Sequence, residues 1–440
     1  MMHEEHNRKE MERAILVSLI TPEEEYSEVS LKELEQLAET AGVQVVAQTT
    51  QRRERPDAKW YVGKGKVNEI RELAAAHEAQ VAIFDQELSG AQVRNLEEML
   101  QMKIIDRTQL ILDIFAQRAR TKEGQLQVEL AQHSYLLPRL SGHGKNLSRL
   151  GGGIGTRGPG ESQLEIDRRH IRTRIRDIKR QLDQVRRHRE LHRKRRQKTG
   201  IEQVALVGYT NAGKSTLLNQ LAGADTYVQN QLFATLDPTS RALRLPSGKE
   251  ILLTDTVGFI QNLPHDLVAA FKSTLEEVLE ADLILHVVDA SSPNKDTQIE
   301  VVQDVLQQLN AHTKDQLMIY NKMDLIDEGD FGLIPAGEGS LKVSALNPDD
   351  LEKIKLAIQD YFSSGLIGYR LPVHDGKLLS TAYRLGEVVK QVTEEDHTFV
   401  YVKPSKQEME KNGYMLEAYK IDADSSAVSL GEESSQHGVE

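Results

Sequence analysis

The sequence predicts a multidomain α/β chain: a small parallel-sheet domain over residues 1–107, a long α-helical hairpin over 108–200, a doubly wound α/β domain over 201–364, a small α/β module over 365–421 and a tail over 422–440. Three features predict this. Short apolar runs alternate with amphipathic helical stretches near the N-terminus and again after residue 203, which is the rhythm of βαβ units. Two long stretches between these regions carry apolar residues at helical spacing. A glycine loop between an apolar run and a helical pattern opens the second α/β region.

Composition sets the limits. The chain has 440 residues, 39% of them hydrophobic, no cysteine and a formal net charge of −12. About two to four domains with real cores are expected at this length. No run of about eighteen apolar residues and no signal-peptide core occur, so a cytoplasmic monomer without a membrane span is expected. The lack of cysteine excludes disulfides and thiolate metal sites. By total charge alone, nucleic acid is a poor partner.

Within residues 1–107, runs at 14–20, 43–49, 81–85 and 103–106 read as strands. Helices are expected over 30–40, capped by Ser30, over 68–77 and after Ser89. Gly63, Lys64, Gly65 and Lys66 lie between two of these elements. Three readings stay open for them: a second nucleotide site, contact with an RNA backbone, or a turn with solvated lysines.

Residues 108–137 read as helix interrupted only near Gly124, and 162–198 as a second helix. In the second, Ile171, Ile175, Ile178, Leu182 and Val185 are spaced four, three, four and three apart, a coiled-coil seam, so the two helices should pair as an antiparallel hairpin. From residue 161 to 198 there are fifteen Lys and Arg against six Asp and Glu; this segment is +9 and the rest of the chain is −21. A charge run is usually a solvated face. Here the excess is so local that a stripe following RNA phosphates is the better reading. The helix has no aromatic residues for stacking bases, so folded RNA is expected over single strands. Lys145, Arg149, Arg157, Arg168, Arg169 and Arg172 are the candidate RNA contacts. The linker over 141–160 contains a formal GxGxxG at Gly153, Gly155 and Gly158. No strand precedes it and a proline follows, so it is not read as a dinucleotide site. A hinge and a basic RNA-approaching loop both stay open.

The loop Gly208, Tyr209, Thr210, Asn211, Ala212, Gly213, Lys214, Ser215, followed by Thr216, has the spacing of a P-loop. Its glycines let backbone N–H groups wrap a phosphate chain, Lys214 reaches the β- and γ-phosphates, and the Ser215 hydroxyl takes a Mg²⁺ position. Asp255, Thr256, Val257 and Gly258 form a DxxG at a strand end: a carboxylate for a Mg²⁺-bound water and an N–H for the γ-phosphate. Phe233, Ala234 and Thr235 lie between these motifs. Thr235 is favoured over Thr239 as second Mg²⁺ ligand and γ-phosphate sensor. Lys214, Thr235 and Gly258 are the candidate catalytic residues.

Asn321, Lys322 and Asp324 form an NKxD. The Asp324 carboxylate accepts from guanine N1–H and the exocyclic amine, Asn321 meets the O6/N7 edge and the Lys322 stem covers the ring. A base without those donors leaves a carboxylate unpaired, at about 1–3 kcal/mol. Ser344, Ala345 and Leu346 complete the base pocket. GTP with Mg²⁺ is the expected substrate and ion, and hydrolysis the expected reaction. Phe259 stands where Ras-like switches hold a water-orienting glutamine, so hydrolysis should be slow alone and quickened by a partner, by about 10³–10⁵-fold in trans-activated systems. Asn211 either seats a K⁺ ion or caps the turn.

At the C-terminus, a strand over 367–373, a helix over 378–392 and a strand over 398–402 are expected, followed by an acidic, disordered tail.

Over about residues 14–365 the chain resembles the HflX family of ribosome-associated GTPases. The resemblance rests on the nucleotide motifs and on residues 84–89, 106–115, 124–131, 135–139, 151–161, 233–239 and 255–259. It implies GTP-dependent binding to the large ribosomal subunit and its rRNA, a glycine loop reaching toward the catalytic centre, and dissociation of idle or stalled 70S ribosomes. It also implies an N-terminal domain able to bind a second nucleotide. The alternatives are a large-subunit assembly GTPase and a GTP-switched coiled coil that binds a protein.

Overall fold

The computed structural model describes residues 11–22, 27–140, 163–199, 201–223, 232–261, 275–335, 337, 339–363, 365–394, 396–404 and 406–421. The linker with Lys145, Arg149 and Arg157 and the acidic tail lie outside these residues.

The first sheet is built from β1 (Arg13–Ile20), β2 (Gln44–Arg52), β3 (Val81–Phe84) and β4 (Lys103–Asp106), all parallel in the order β2-β1-β3-β4. Its crossovers are α1 (Ser27–Thr40), α2 (Lys64–His77) and α3 (Gly90–Leu100). β3 is buried at every position, as a central parallel strand covered on both faces must be. Ser30 does not cap α1. The helix begins a turn earlier, and the Ser30 hydroxyl donates instead to buried Asp85 at 2.7 Å. Ser89 caps α3 in a reciprocal box with Gln92.

β4 runs directly into α4 (Arg107–Arg118), capped by the Asp106 carboxylate, which accepts from Gln109 N–H at 2.9 Å. α5 (Lys122–Arg139) follows. The interruption expected near Gly124 falls at 119–121: Thr121 caps α5, accepting from the Gly124 N–H at 2.9 Å, and Gly124 lies in the first turn. α6 (Gln163–Thr199) returns antiparallel to α5, with Arg174 paired to Glu129 and Arg189 to Glu123. Ile178, in the middle of the expected seam, is fully buried, while Arg169, Arg172 and Arg176 face solvent.

The third unit is a six-stranded sheet of order β10-β9-β8-β5-β7-β6, in which only β6 is antiparallel. Its elements are β5 (Gln203–Gly208), α7 (Lys214–Leu221), β6 (Thr239–Arg244), β7 (Glu250–Asp255), α8 (Glu276–Glu280), β8 (Leu283–Asp289), α9 (Lys295–Gln308), β9 (Gln316–Asn321), β10 (Ser340–Lys342) and α10 (Pro348–Phe362). All the nucleotide motifs sit at the carboxyl ends of parallel strands, where α/β sheets bind ligands.

The C-terminal module is an antiparallel sheet, β12-β13-β11-β14, made from β11 (Ile367–Pro372), β12 (Gly386–Thr393), β13 (His397–Pro404) and β14 (Lys420–Ile421), with α11 (Gly376–Leu385) and α12 (Lys406–Asn412). The helix expected to run to residue 392 stops at Leu385. A Cβ on Gly386 would lie 2.2 Å from the Lys403 carbonyl, so this glycine admits the close approach of β13, and the residues after it pair with that strand.

One apolar core joins the first and third units. It runs from Leu34 and Leu37 on α1 through Ile111, Ile114 and Phe115 on α4 to Phe233, Leu236, Val257, Phe259 and Ile260 beside the nucleotide motifs. Next to it lies a buried polar knot. Arg107 Nη2 donates to Asp85 Oδ1 at 2.7 Å and to Ser30 Oγ at 2.9 Å, and Nη1 donates to Glu33 Oε2 at 2.6 Å; Arg107 and Asp85 side chains are both 2% exposed. Replacing Arg107 by Met strands the Asp85 carboxylate in a dry site, which costs about 3–5 kcal/mol. Urea unfolding should show the first transition moving to lower denaturant, with Arg107→Lys recovering only part because it lacks the guanidinium fork. An unmoved midpoint would refute this role.

Candidate nucleotide site

A cavity of about 340 Å³ opens above the carboxyl ends of β5, β7 and β9. The sequence-expected residues Thr210, Asn211, Gly213, Lys214, Ser215, Thr216, Phe233, Ala234, Thr235, Thr256, Gly258, Asn321, Lys322, Asp324, Ser344, Ala345 and Leu346 line it. Gly208, Tyr209, Ala212, Asp255 and Val257 stand behind this lining. Leu325, which sequence reasoning missed, is part of it. It follows Asp324 and is 65% exposed, opposite in chain position to Leu346 at 70%; two such exposed leucines make apolar lips at the base end.

The P-loop backbone explains its own sequence. Asn211 and Gly213 adopt left-handed conformations with φ +61° and +96°. A Cβ at Gly213 would come within 2.3 Å of Asn321 Nδ2, so only glycine lets the NKxD loop close on the P-loop. The Asn321 amide is anchored there at both ends: Nδ2 donates to the Ala212 carbonyl at 2.9 Å and Oδ1 accepts from Ala345 N–H at 3.0 Å. It ties three loops together while still lining the cavity at the end where the guanine edge is expected. Asp324 accepts from Ser344 Oγ at 2.6 Å, and Lys322 Nζ donates to Asp289 Oδ2 at 2.7 Å, which fixes the lysine stem.

At the other end, three oxygens converge. Ser215 Oγ and Thr235 Oγ1 donate to Asp255 Oδ2 at 2.6 and 2.7 Å and lie 2.8 Å from each other. The second carboxylate oxygen of Asp255 is buried without a well-formed hydrogen bond. Two hydroxyls and a carboxylate are hard oxygen donors of the kind Mg²⁺ takes, and the underused oxygen means the set has capacity left, so the residues fit that ion. Lys214 Nζ donates to the Gly208 and Tyr209 carbonyls at 3.0 and 2.8 Å. Burial pushes this amine down to about 8, with Asp255 only partly opposing the shift. Burial likewise raises the Asp255 carboxyl, against Lys214 and the two hydroxyls. Both charges are therefore destabilised until something anionic or cationic joins them.

Phe259 is 2% exposed, its N–H donates to the Gly208 carbonyl at 3.1 Å, and its carbonyl accepts from Thr210 N–H at 2.7 Å. Its ring lies in the shared core, away from the cavity. Tyr209 was also expected at the nucleotide; its phenol turns the other way and donates to Glu33 Oε1 on α1 at 2.5 Å. That pairing spans most of the first half of the chain and left no local signal.

Arg168, Arg169 and Arg172 line one concavity on the hairpin with Leu137, Glu165, Ile175 and Arg176. In the N-terminal unit, Lys64 and Lys66 belong to the first turn of α2, and Lys66 Nζ contacts Glu69 at 2.7 Å and Thr49 Oγ1 at 3.1 Å. No helix among the described residues is long and apolar enough to cross a membrane.

Three family models match successive stretches: "GTP-binding GTPase N-terminal" over residues 28–116, "GTP-binding GTPase Middle Region" over 118–196 and "50S ribosome-binding GTPase" over 203–322. The chain is 50% identical to "GTPase HflX" of Caldanaerobacter subterraneus subsp. tengcongensis, across 87% of this chain and 89% of that one. It is 52% identical to that of Alkalihalophilus pseudofirmus, across 85% and 89%, and 45% identical to that of Escherichia coli, across 88% and 91%. A solved structure of a GTP-binding protein from the archaeon Sulfolobus solfataricus in complex with GDP aligns over 79% of this chain and 98% of that chain, at 25% identity and a TM-score of 0.42. By its identity to these relatives over most of its length, the chain belongs to the HflX family of GTPases.

Proposed function

We propose that this GTPase docks on the large ribosomal subunit when GTP is bound, using the basic hairpin and the linker between its two helices, and dissociates idle or stalled 70S ribosomes. The observation that carries this is the position of the charge. The apolar seam of α6 is turned toward α5, while Arg169, Arg172 and Arg176 stay exposed on a segment of +9 in a chain of −12. The description "50S ribosome-binding GTPase" for the model matching residues 203–322 supports the same partner.

In this reading Lys214 and the P-loop amides hold the phosphates, and Gly258 N–H meets the γ-phosphate. Ser215 and Thr235 would hold Mg²⁺ through their hydroxyls and Asp255 through a water, the three oxygens that converge there. The ion, when bound, supplies charge neutralisation across the β- and γ-phosphates. Asp324 reads guanine between Leu325 and Leu346. Phe259 offers no group to orient water, so turnover is slow until the ribosome orders the switch loops. Asn211, which lines the cavity, would hold a K⁺ ion that supplies further positive charge to the phosphates.

Sedimentation with ribosomes tests the docking: the protein should pellet with large subunits in a non-hydrolysable GTP analogue and much less in GDP or without nucleotide. Equal pelleting in all three sinks the switch, and a preference for precursor over mature subunits favours an assembly role. Affinity should also fall steeply with salt if phosphates are the contact.

Nucleotide binding should be linked to pH through Lys214. The free amine titrates at about 8 and phosphate contact raises it, so the bound state holds the proton more tightly. Well below pH 8 the amine is already charged and binding takes up no proton. Above it binding takes up as much as one, and affinity falls with rising pH. Calorimetry of GDP binding in buffers of different ionisation enthalpy should show greater proton uptake at pH 8.5 than at 7.5, and Lys214→Arg should remove the difference. For Asn211, turnover should be faster in K⁺ than in Na⁺ buffer; equal rates eliminate the ion.

A further inference from the structure

Helix α4 lies outside the nucleotide sheet, yet it reaches two of the loops that border the cavity, those at 233–237 and 258–261. At its first residue, Arg107 grips Glu33 Oε2, and the other oxygen of Glu33 accepts from Tyr209 Oη. That phenol in turn accepts the backbone N–H of Gln261, just past Gly258, at 2.8 Å. In the last turn of α4, Phe115 meets Phe233 edge to face with 4.6 Å between ring centroids. Beyond its end, at the elbow before α5, the N–H groups of Arg120 and Thr121 donate to Asp237 Oδ2 at 2.8 and 2.9 Å, and Thr121 Oγ1 donates to Asp237 Oδ1 at 2.5 Å.

The sequence spacing gives these contacts their meaning. Phe233 and Asp237 flank Thr235, the residue whose hydroxyl meets Ser215 and Asp255. Phe233 is held at φ +52°, a conformation a phenylalanine adopts only when its surroundings impose it. Asp237 occupies the N-terminus of α5, where a carboxylate is favoured by the unpaired N–H groups and the helix dipole. A Cβ on Gly124 would lie 2.3 Å from Asp237 Oδ1. The glycine in the first turn of α5 therefore leaves room for this one carboxylate, which accounts for a residue the nucleotide chemistry does not use.

We propose that α4 and the elbow are a positioning device for GTP binding: by fixing Phe233 and Asp237 they hold Thr235 at the Ser215–Asp255 oxygens, and through the same contacts the nucleotide state acts on the base of the hairpin. The inference rests on the reading of Thr235 as a Mg²⁺ and γ-phosphate residue. The ordering cost of the loop is met by packing against α4, so less of it falls on the nucleotide. Coupling free energies are reciprocal, so whatever the elbow does for GTP affinity, GTP does for the elbow. Phe115, Gly124 and Asp237 are positioning residues in this scheme and touch no substrate.

The test uses the full chain and three substitutions: Gly124→Ala, Asp237→Asn and Thr235→Ala. Alanine is a better helix former than glycine, so Gly124→Ala should keep or strengthen α5 while displacing the Asp237 carboxylate. Calorimetry with Mg²⁺ should show Gly124→Ala and Asp237→Asn losing about five- to tenfold of the preference for a non-hydrolysable GTP analogue over GDP, a typical allosteric coupling. GDP affinity without Mg²⁺ should not change. Hydrogen exchange should show residues 124–128 slowed further by the GTP analogue than by GDP in the unsubstituted chain, and equally by both in the two elbow variants. If Thr235→Ala loses the preference while both elbow variants keep it, the elbow is packing alone and the proposal falls. If Thr235→Ala itself keeps the preference, the assignment of Thr235 has failed, and the positioning scheme falls with it.

Discussion

The constraint on which the rest depends is that the surface bordering the nucleotide cavity is core. Phe233, Leu236, Val257, Phe259 and Ile260 are each no more than 5% exposed, and their partners are on α1, α4 and α5 rather than on their own sheet alone. Each such side chain contributes about 1.5–3 kcal/mol by leaving water. A nucleotide domain cut free of residues before 200 would expose this face. The three parts of the chain are therefore not beads on a string: the unit that reads phosphate and the unit that presents the basic hairpin share one hydrophobic interior. Tight interiors do not deform continuously, so a loop change at the cavity has to repack its neighbours or leave them alone.

Within that frame the cavity is arranged around charges that are incomplete by themselves. Lys214 and Asp255 are buried almost together, and burial moves both toward their neutral forms. Backbone carbonyls contact the amine and two hydroxyls the carboxylate, at short distances but without matching their charge. A phosphate chain with its metal is the pair of charges that completes both residues at once, so substrate and ion are each favoured by the other's presence. Asn321 adds rigidity: its one amide bridges the P-loop and the SAL loop, so base pocket and phosphate pocket are set in a fixed relation before either is filled.

Much of this was legible in the residues. The P-loop, DxxG, NKxD and SAL motifs are local patterns whose chemistry follows from backbone geometry and from donor and acceptor types, and all of them open onto one cavity. Periodicity gave the parallel N-terminal sheet and the seam of α6, because both are repeats along the chain. Two readings failed for a common reason. Ser30 was taken from the helix cap by buried Asp85, and Gly386 ended a helix because β13 approaches it closely. In each, a partner distant in sequence overrode a local propensity, and such partners leave no periodic trace. The Tyr209–Glu33 and Thr121–Asp237 pairs are illegible for the same reason.

Phe259 shows how the shared core bears on the rate of hydrolysis. A glutamine at that position in a Ras-like switch needs a mobile backbone and a side chain that reaches an attacking water. Here the backbone is tied at both its N–H and its carbonyl to the P-loop, and the ring fills the interior beneath it. Exchanging the phenyl ring for an amide would thus not restore a water-positioner. It would place an unpaired polar group in an apolar core while leaving the backbone pinned. The same packing that secures the cavity bars this position from the chemistry. Whatever orients water for hydrolysis therefore lies elsewhere than this buried ring.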